Sequence, residues 1–160
     1  MSLAKDKPYF AQPSDYEDDV HAWAFEQAQL LRLGRFSEVD LPNVIEELES
    51  LGREVQELIS GAYRDLIAAL LEWEADPSSR TRENATLILK ARFTIEDEEK
   101  EARSLREDAK RTVEAVYPDA VHLAMAATGL PRGCFPIECP YELAFLRDLD
   151  ALPGSLPDGE

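Results

Sequence analysis

The chain has few of the residues most metal and redox chemistry needs. Two cysteines and two histidines occur in 160 residues. Cys134 and Cys139 are five apart, so there is no CxxC pair, and His21 and His122 lie far apart in sequence. That excludes a mononuclear zinc site of common type. Glycine is scarce, and no strand precedes the GREVQ or GLPRG stretches, which excludes a glycine-rich phosphate loop. There is no HExxH and no repeated ExxH of a carboxylate-bridged di-iron bundle. No apolar run is long enough to span a bilayer, and MSLAKDKPYFAQPSD has no apolar signal region. A cytoplasmic protein with free thiols, no membrane partner and no cofactor is the expectation. Positive charge is also in deficit, with 17 basic against 33 acidic residues and a net charge of -16. Direct nucleic-acid binding needs a basic patch, so it is disfavoured. The charge favours solubility or a basic protein partner.

What is present is helical periodicity. From Asp40 to Trp73, apolar residues fall at Leu41, Val44, Leu48, Leu51, Val55, Leu58, Ala62, Leu66, Ala69 and Trp73. Steps of three and four put them on one face of a single long helix, which has to be buried against something. Gly52 and Gly61 inside it each cost up to about 1 kcal/mol relative to alanine. They read as a close helix crossing or a small kink, or as neutral surface positions.

The remaining elements follow in order. Residues 1–13 read as an irregular arm, with Tyr9 and Phe10 as an anchor. A first helix is expected from Ser14, with Glu17 completing a capping box, to about Leu33, with Gly34 past its end. Val20, Trp23, Gln27, Leu30 and Leu31 share its broad face. The short connection Arg35 to Val39 makes the first two helices an antiparallel hairpin, with Asp40 as N-cap of the second. A third helix is expected from Arg82 to Arg106, its EDEEKE run solvated. Pro118 reads as interrupting or opening a helix, followed by a short helix from Asp119 to Thr128 that Gly129 stops. The proline-rich tail carries a last short helix, Tyr141 to Leu149, covering the open end. The fold class expected is all-α, an antiparallel helical bundle built around one long helix with a proline-rich C-terminal cap. One domain over residues 14–150 and a frayed tail over 151–160 complete it.

Three places invite chemistry. The carboxylates Asp40, Glu46 and Glu47 stand near the start of the long helix. They read as pairing with Arg32, Arg35 or Arg53 to tie the corner, or as holding a divalent ion, for which two or three oxygens are few. Hairpin topology puts Asp18 and Asp19 nearer residues 58–70 than Glu46. His122 lacks a neighbouring nucleophile and reads as packed or exposed. Cys134 and Cys139 read as a disulfide, as small hydrophobic residues, or as a redox or metal pair, and Cys139 near a helix N-terminus would have a lowered pKa.

Three blocks resemble a known family. Tyr16, Asp19, Trp23, Gln27, Leu30, Leu31 and Arg32 form YxxDxxxWxxxQxxLLR. Leu41, Asn43 and Ile45 lead into Glu46-Glu47-Leu48-Glu49-Ser50-Leu51-Gly52. Thr128-Gly129-Leu130, Phe135-Pro136, Cys139-Pro140-Tyr141 and Leu146 form the third. Together they resemble the bacterial domain-of-unknown-function family numbered 29. The resemblance implies a helical fold and no established activity. The family usually has a histidine and a basic residue where this chain has Ala69 and Glu72, and a Ser-Trp-Arg block near Thr81–Ala85 is missing. Trp23, Arg32, Arg35, Gly52 and Tyr141 are the residues expected in structural or corner roles.

The leading functional expectation is a binding or assembly module without catalysis, with a homodimer through the long helix. The alternatives are a divalent-metal-dependent hydrolase or nuclease-like enzyme using Asp40, Glu46 and Glu47, and an acidic antitoxin or nucleic-acid mimic that covers a basic partner.

Overall fold

A computed structural model describes residues 7–154. The outermost parts of the expected arm and tail, 1–6 and 155–160, lie outside it. The described chain is all-α: α1 (Val20–Arg32), α2 (Leu41–Ala75), α3 (Arg82–Glu101), α4 (Arg103–Glu107), α5 (Ala109–Thr128) and α6 (Leu143–Arg147), with 3-10 turns at Phe36–Glu38, Pro77–Ser79 and Arg132–Cys134. It is a helical bundle built around α2. Two compact units divide it, at Arg53 and Glu54 within α2.

In the first unit α1 begins later than the capping box suggests. Asp19 is the N-cap, its carboxylate accepting from the Ala22 amide at 2.9 Å. Ser14 instead turns its amide (2.7 Å) and hydroxyl (3.0 Å) to Glu26. Gly34 follows the helix at φ 67°, a left-handed geometry that suits glycine. Trp23, Gln27 and Leu30 are buried at helical spacing, while Val20 and Leu31 are exposed. Backbone groups tie the arm to the connection, while the Tyr9 side chain is exposed: the Tyr9 amide donates to Glu38 at 2.8 Å, and Arg35 donates to the Lys7 carbonyl at 2.6 Å.

In the second unit the core joins three helices. Tyr63, Leu66, Ile67, Leu70 and Leu71 of α2 meet Ile88 and Ile95 of α3, and Val113, Tyr117, Val121 and Ala124 of α5. Residues 66–71 are all buried, so this half of α2 is covered nearly all round rather than on one stripe. Phe135 and Leu146 of the C-terminal segment close the cluster.

Three expectations for this unit are corrected. Pro118 lies inside one continuous helix, α5. It sits on the exposed side, so the missing hydrogen bond opens toward water, and buried Val113, Tyr117, Ala120 and Ala124 keep the helical period across it. The α3 ladder ends at Glu101 rather than running to Arg106. Its acidic run is also not wholly solvated, since Glu99 is only 4% exposed. The last helix is shorter than expected, beginning at Leu143.

The buried stripe of α3 is Asn84, Ile88, Arg92, Ile95 and Glu99, whereas Leu87, Leu89 and Phe93 are exposed. Arg92, 1% exposed, donates to the carbonyls of Leu146 (3.1 Å), Phe145 (3.1 Å) and Ala151 (2.6 Å). One guanidinium thus satisfies three carbonyls of the C-terminal segment, a task suited to its planar fork of donors. Arg92→Met keeps the stem and removes the donor to the Leu146 and Ala151 carbonyls, while Phe145 still accepts from the Asp148 amide at 3.2 Å. It should cost at least about 3 kcal/mol in urea unfolding, with early proteolysis of the segment after Tyr141.

Candidate functional site

The first two motif blocks meet in the first unit. The Trp23 indole donates to Asp40 Oδ2 at 3.2 Å, and Asn43 Nδ2 donates to the same oxygen at 2.7 Å. The buried Gln27 accepts from the Asp40 amide at 2.8 Å. The Tyr16 hydroxyl donates to Glu47 at 2.5 Å, and its ring packs edge-on against Trp23 with centroids 4.8 Å apart. Residue numbers fall along one side as they rise along the other, so the hairpin is antiparallel. The Tyr16–Glu47 bond sets its register and overturns the placement of the first helix's start near residues 58–70. Because α1 has 13 residues, it runs only about 20 Å.

The named carboxylates therefore take neutral donors. Asp40 is held by an indole and an amide, and Glu47 by a phenol. Glu46 is exposed and makes no hydrogen bond or ion pair among the described residues. Arg35 pairs with Glu38 and stacks over Tyr9, with 5.8 Å from guanidinium carbon to ring centroid. Arg53 pairs with Glu49 at 3.6 Å and with Ser50, and Arg32 is exposed without an ion pair among the described residues. His21 is exposed and packs on Phe25. No group of three or more His, Cys, Asp or Glu among the described residues is arranged to hold a metal ion.

Gly52 has no atom within 4 Å of the position a Cβ would take, and Gly61 has only the Arg64 guanidinium at 3.9 Å. Neither marks a close crossing inside this chain, and α2 continues through both. Around Gly52 lies an apolar surface. Leu41, Ile45, Leu48 and Leu51 are all exposed, Leu48 at 65% and Leu51 at 60%. The sequence pattern marks Leu48 and Leu51 as packed, but the contacts of Tyr16, Trp23 and Gln27 reach Asp40 and Glu47, and no α2 residue before Ile59 is buried. At about 100° per residue, Leu41, Ile45, Leu48 and Gly52 fall within one narrow strip, on roughly the opposite side of the helix from Asn43 and Glu47.

In the second unit the third block lines a cleft of about 640 Å³ with Tyr117, Cys139, Tyr141 and Leu143 in its walls. Tyr117 donates to the Pro136 carbonyl at 2.8 Å, and Tyr141 donates to Glu74 at 2.9 Å while stacking on Phe145. Both cysteines are free. Cys139 is four residues ahead of α6, not at its start, and burial pushes its thiol pKa up rather than down. Nothing here activates a thiolate. His122 is exposed. No sequence motif marks the knot formed by buried Tyr63 and Glu99 with half-buried Arg147. The Tyr63 hydroxyl donates to Glu99 at 2.6 Å, and Arg147 pairs with the same oxygen at 2.8 Å. Burial first, and then this bond, raise the Tyr63 pKa.

The Glu47 bond, aided by the Glu47, Glu46 and Glu17 charges, pushes Tyr16 up to about 12 from an ordinary 10. A folded-state pKa raised this way contributes stability below about pH 10, and that contribution is lost as pH rises through about 12. Ring-carbon NMR should therefore find Tyr16 titrating late in the wild type and nearer 10 in Glu47→Gln. An unchanged Tyr16 in that variant would rule out the bond as the cause.

No curated protein and no solved structure matches the chain. A family model, described as "Domain of unknown function DUF29", matches residues 16–151. That span contains both units' motif blocks, and the chain belongs to this family.

Proposed function

We propose that the protein is a non-catalytic assembly module and that the first half of α2 is its self-association face. The carrying observation is the strip Leu41, Ile45, Leu48 and Gly52, exposed on a well-formed helix with Leu51 at its edge. Contiguous apolar surface on a helix is covered in most folded proteins. A glycine in a helix interior is unfavourable by roughly 1 kcal/mol unless something needs the space it leaves. A second α2 crossing at Gly52 uses that space and covers the leucines on both sides. A two-fold axis there makes the contact self-complementary and closed, so it stops at a dimer. Glu49, paired with Arg53, borders the strip, and each copy carries a net charge of -16. The two acidic copies repel, so association tightens as salt screens them.

The polar network behind the strip serves this reading. Trp23, Gln27 and Asp40 lock α1 to the start of α2 and hold the strip rigid. Rigid presentation lowers the entropy that binding has to overcome.

Sedimentation equilibrium checks the reading. The wild type should dimerise, more tightly at 0.5 M than at 0.05 M salt. Gly52→Leu should be monomeric yet equally or more stable, because leucine gains roughly 0.8–1 kcal/mol of helix propensity. Ile45→Glu with Leu48→Glu should also be monomeric. A wild type monomeric throughout, or a Gly52→Leu variant that dimerises like it, removes the proposal.

A further inference from the structure

The second unit carries another exposed apolar surface, on a different part of α2. A groove of about 850 Å³ runs between α2, α3 and α5. Its walls include Leu58, Leu87 and Leu123, which are 50%, 55% and 43% exposed. Gly61 and the buried Ala62, Ala68 and Ala69 form its low floor. Small residues on the floor and leucines on the walls are what ridges-into-grooves packing of another helix requires.

The charge around the groove selects the occupant. Glu57, Asp65 and Glu72 line it from α2, and Lys90 faces them from α3. Asp65 pairs with Arg64 at 2.8 Å, but Glu57 and Glu72 have no ion pair among the described residues. Glu72 is half-buried, and its desolvation raises its pKa, a cost that a cation brought by a partner would relieve. The spacing is also informative. Glu57, Asp65 and Glu72 are eight and seven residues apart, so they share one edge of α2 along about 22 Å. A second copy of this acidic chain would bring like charge to that edge.

We propose that this groove receives a basic amphipathic helix of a partner protein, about fifteen residues or longer. Its apolar side lies on Leu58, Leu87 and Leu123. Its lysines or arginines, spaced seven or eight residues apart along one edge, meet Glu57, Asp65 and Glu72. Helix-in-groove recognition supplies affinity through the apolar side, and the charges set orientation and partner choice.

The test uses full-length protein and three fluorescein-labelled synthetic 18-residue peptides of leucine and alanine. The first is amphipathic, with lysines at positions 2, 9 and 17. The second scrambles the same composition, and the third replaces lysine with glutamate. Fluorescence anisotropy should show saturable binding of the first, with at least tenfold weaker binding of the other two and a Kd that rises with salt. Glu57→Gln with Glu72→Gln should weaken the first peptide about tenfold. Gly61→Leu should do the same by filling the floor, while circular dichroism shows the helix intact. Equal binding of the scrambled peptide would mean nonspecific charge attraction and would overturn the proposal. So would unaltered binding by Gly61→Leu, or no binding of the first peptide at low salt. The Ile45→Glu, Leu48→Glu variant should bind the first peptide as the wild type does. The inference therefore stands or falls separately from self-association, whose salt dependence has the opposite sign.

Discussion

A helix of 35 residues needs more cover than the other described residues provide. α2 extends about 50 Å, whereas α1 has 13 residues and α3 and α5 have 20 each. Helices within proteins gain most of their stability from tertiary burial. The second half of α2 has it, with Leu66, Ile67, Leu70 and Leu71 all but inaccessible. The first half has no buried residue before Ile59 and is held at its start by Tyr16 and Trp23. There the grip is polar, an indole and a phenol donating to two carboxylates, and the apolar strip stays open. The assembly reading follows from that unequal cover.

The second unit answers the same demand with buried charge. Arg92 and Glu99 stand in the core-facing stripe of α3, where isoleucine would be the ordinary choice. Each is kept there by long-range partners: three C-terminal carbonyls for Arg92, and Tyr63 and Arg147 for Glu99. Removing one partner of such a buried set is far more costly than the set's net contribution to stability. These contacts fix where the C-terminal segment lies, and with it the Cys139–Tyr141 cleft.

Much of this architecture was legible from residue pattern. Steps of three and four placed α2 within two residues of its ends, and Gly34 and Gly129 mark left-handed helix ends at φ 67° and 71°. Tyr16, Trp23, Gln27, Asn43 and Glu47, picked out by motif, do come together. The errors share a physical cause: local sequence carries no record of distant partners. Glu99 lies in a run of like charges that reads as solvated, yet its partners are 36 and 48 residues away. Ser14 and Glu17 have capping-box spacing, but Glu26 takes both Ser14 donors. Pro118 reads as a break only when the buried period on either side of it is ignored. Leu48 and Leu51 have the spacing of packed residues, yet the hairpin contacts reach Asp40 and Glu47 and leave both leucines exposed. The Asp40 and Glu47 partners were equally hidden, because charge matching suggests arginine where the fold supplies indole, amide and phenol.

The central claim is that two copies cross at Gly52. Pulsed dipolar spectroscopy reads that geometry directly, with a single spin label at residue 49 in a Cys134→Ser, Cys139→Ala background. Helix axes 8–10 Å apart at the crossing place two such labels within roughly 25 Å of each other. A short intermolecular distance that vanishes on dilution with unlabelled protein is the expected result. Absence of any intermolecular dipolar signal at concentrations well above the dimer dissociation constant, or a distance beyond about 50 Å, would contradict it.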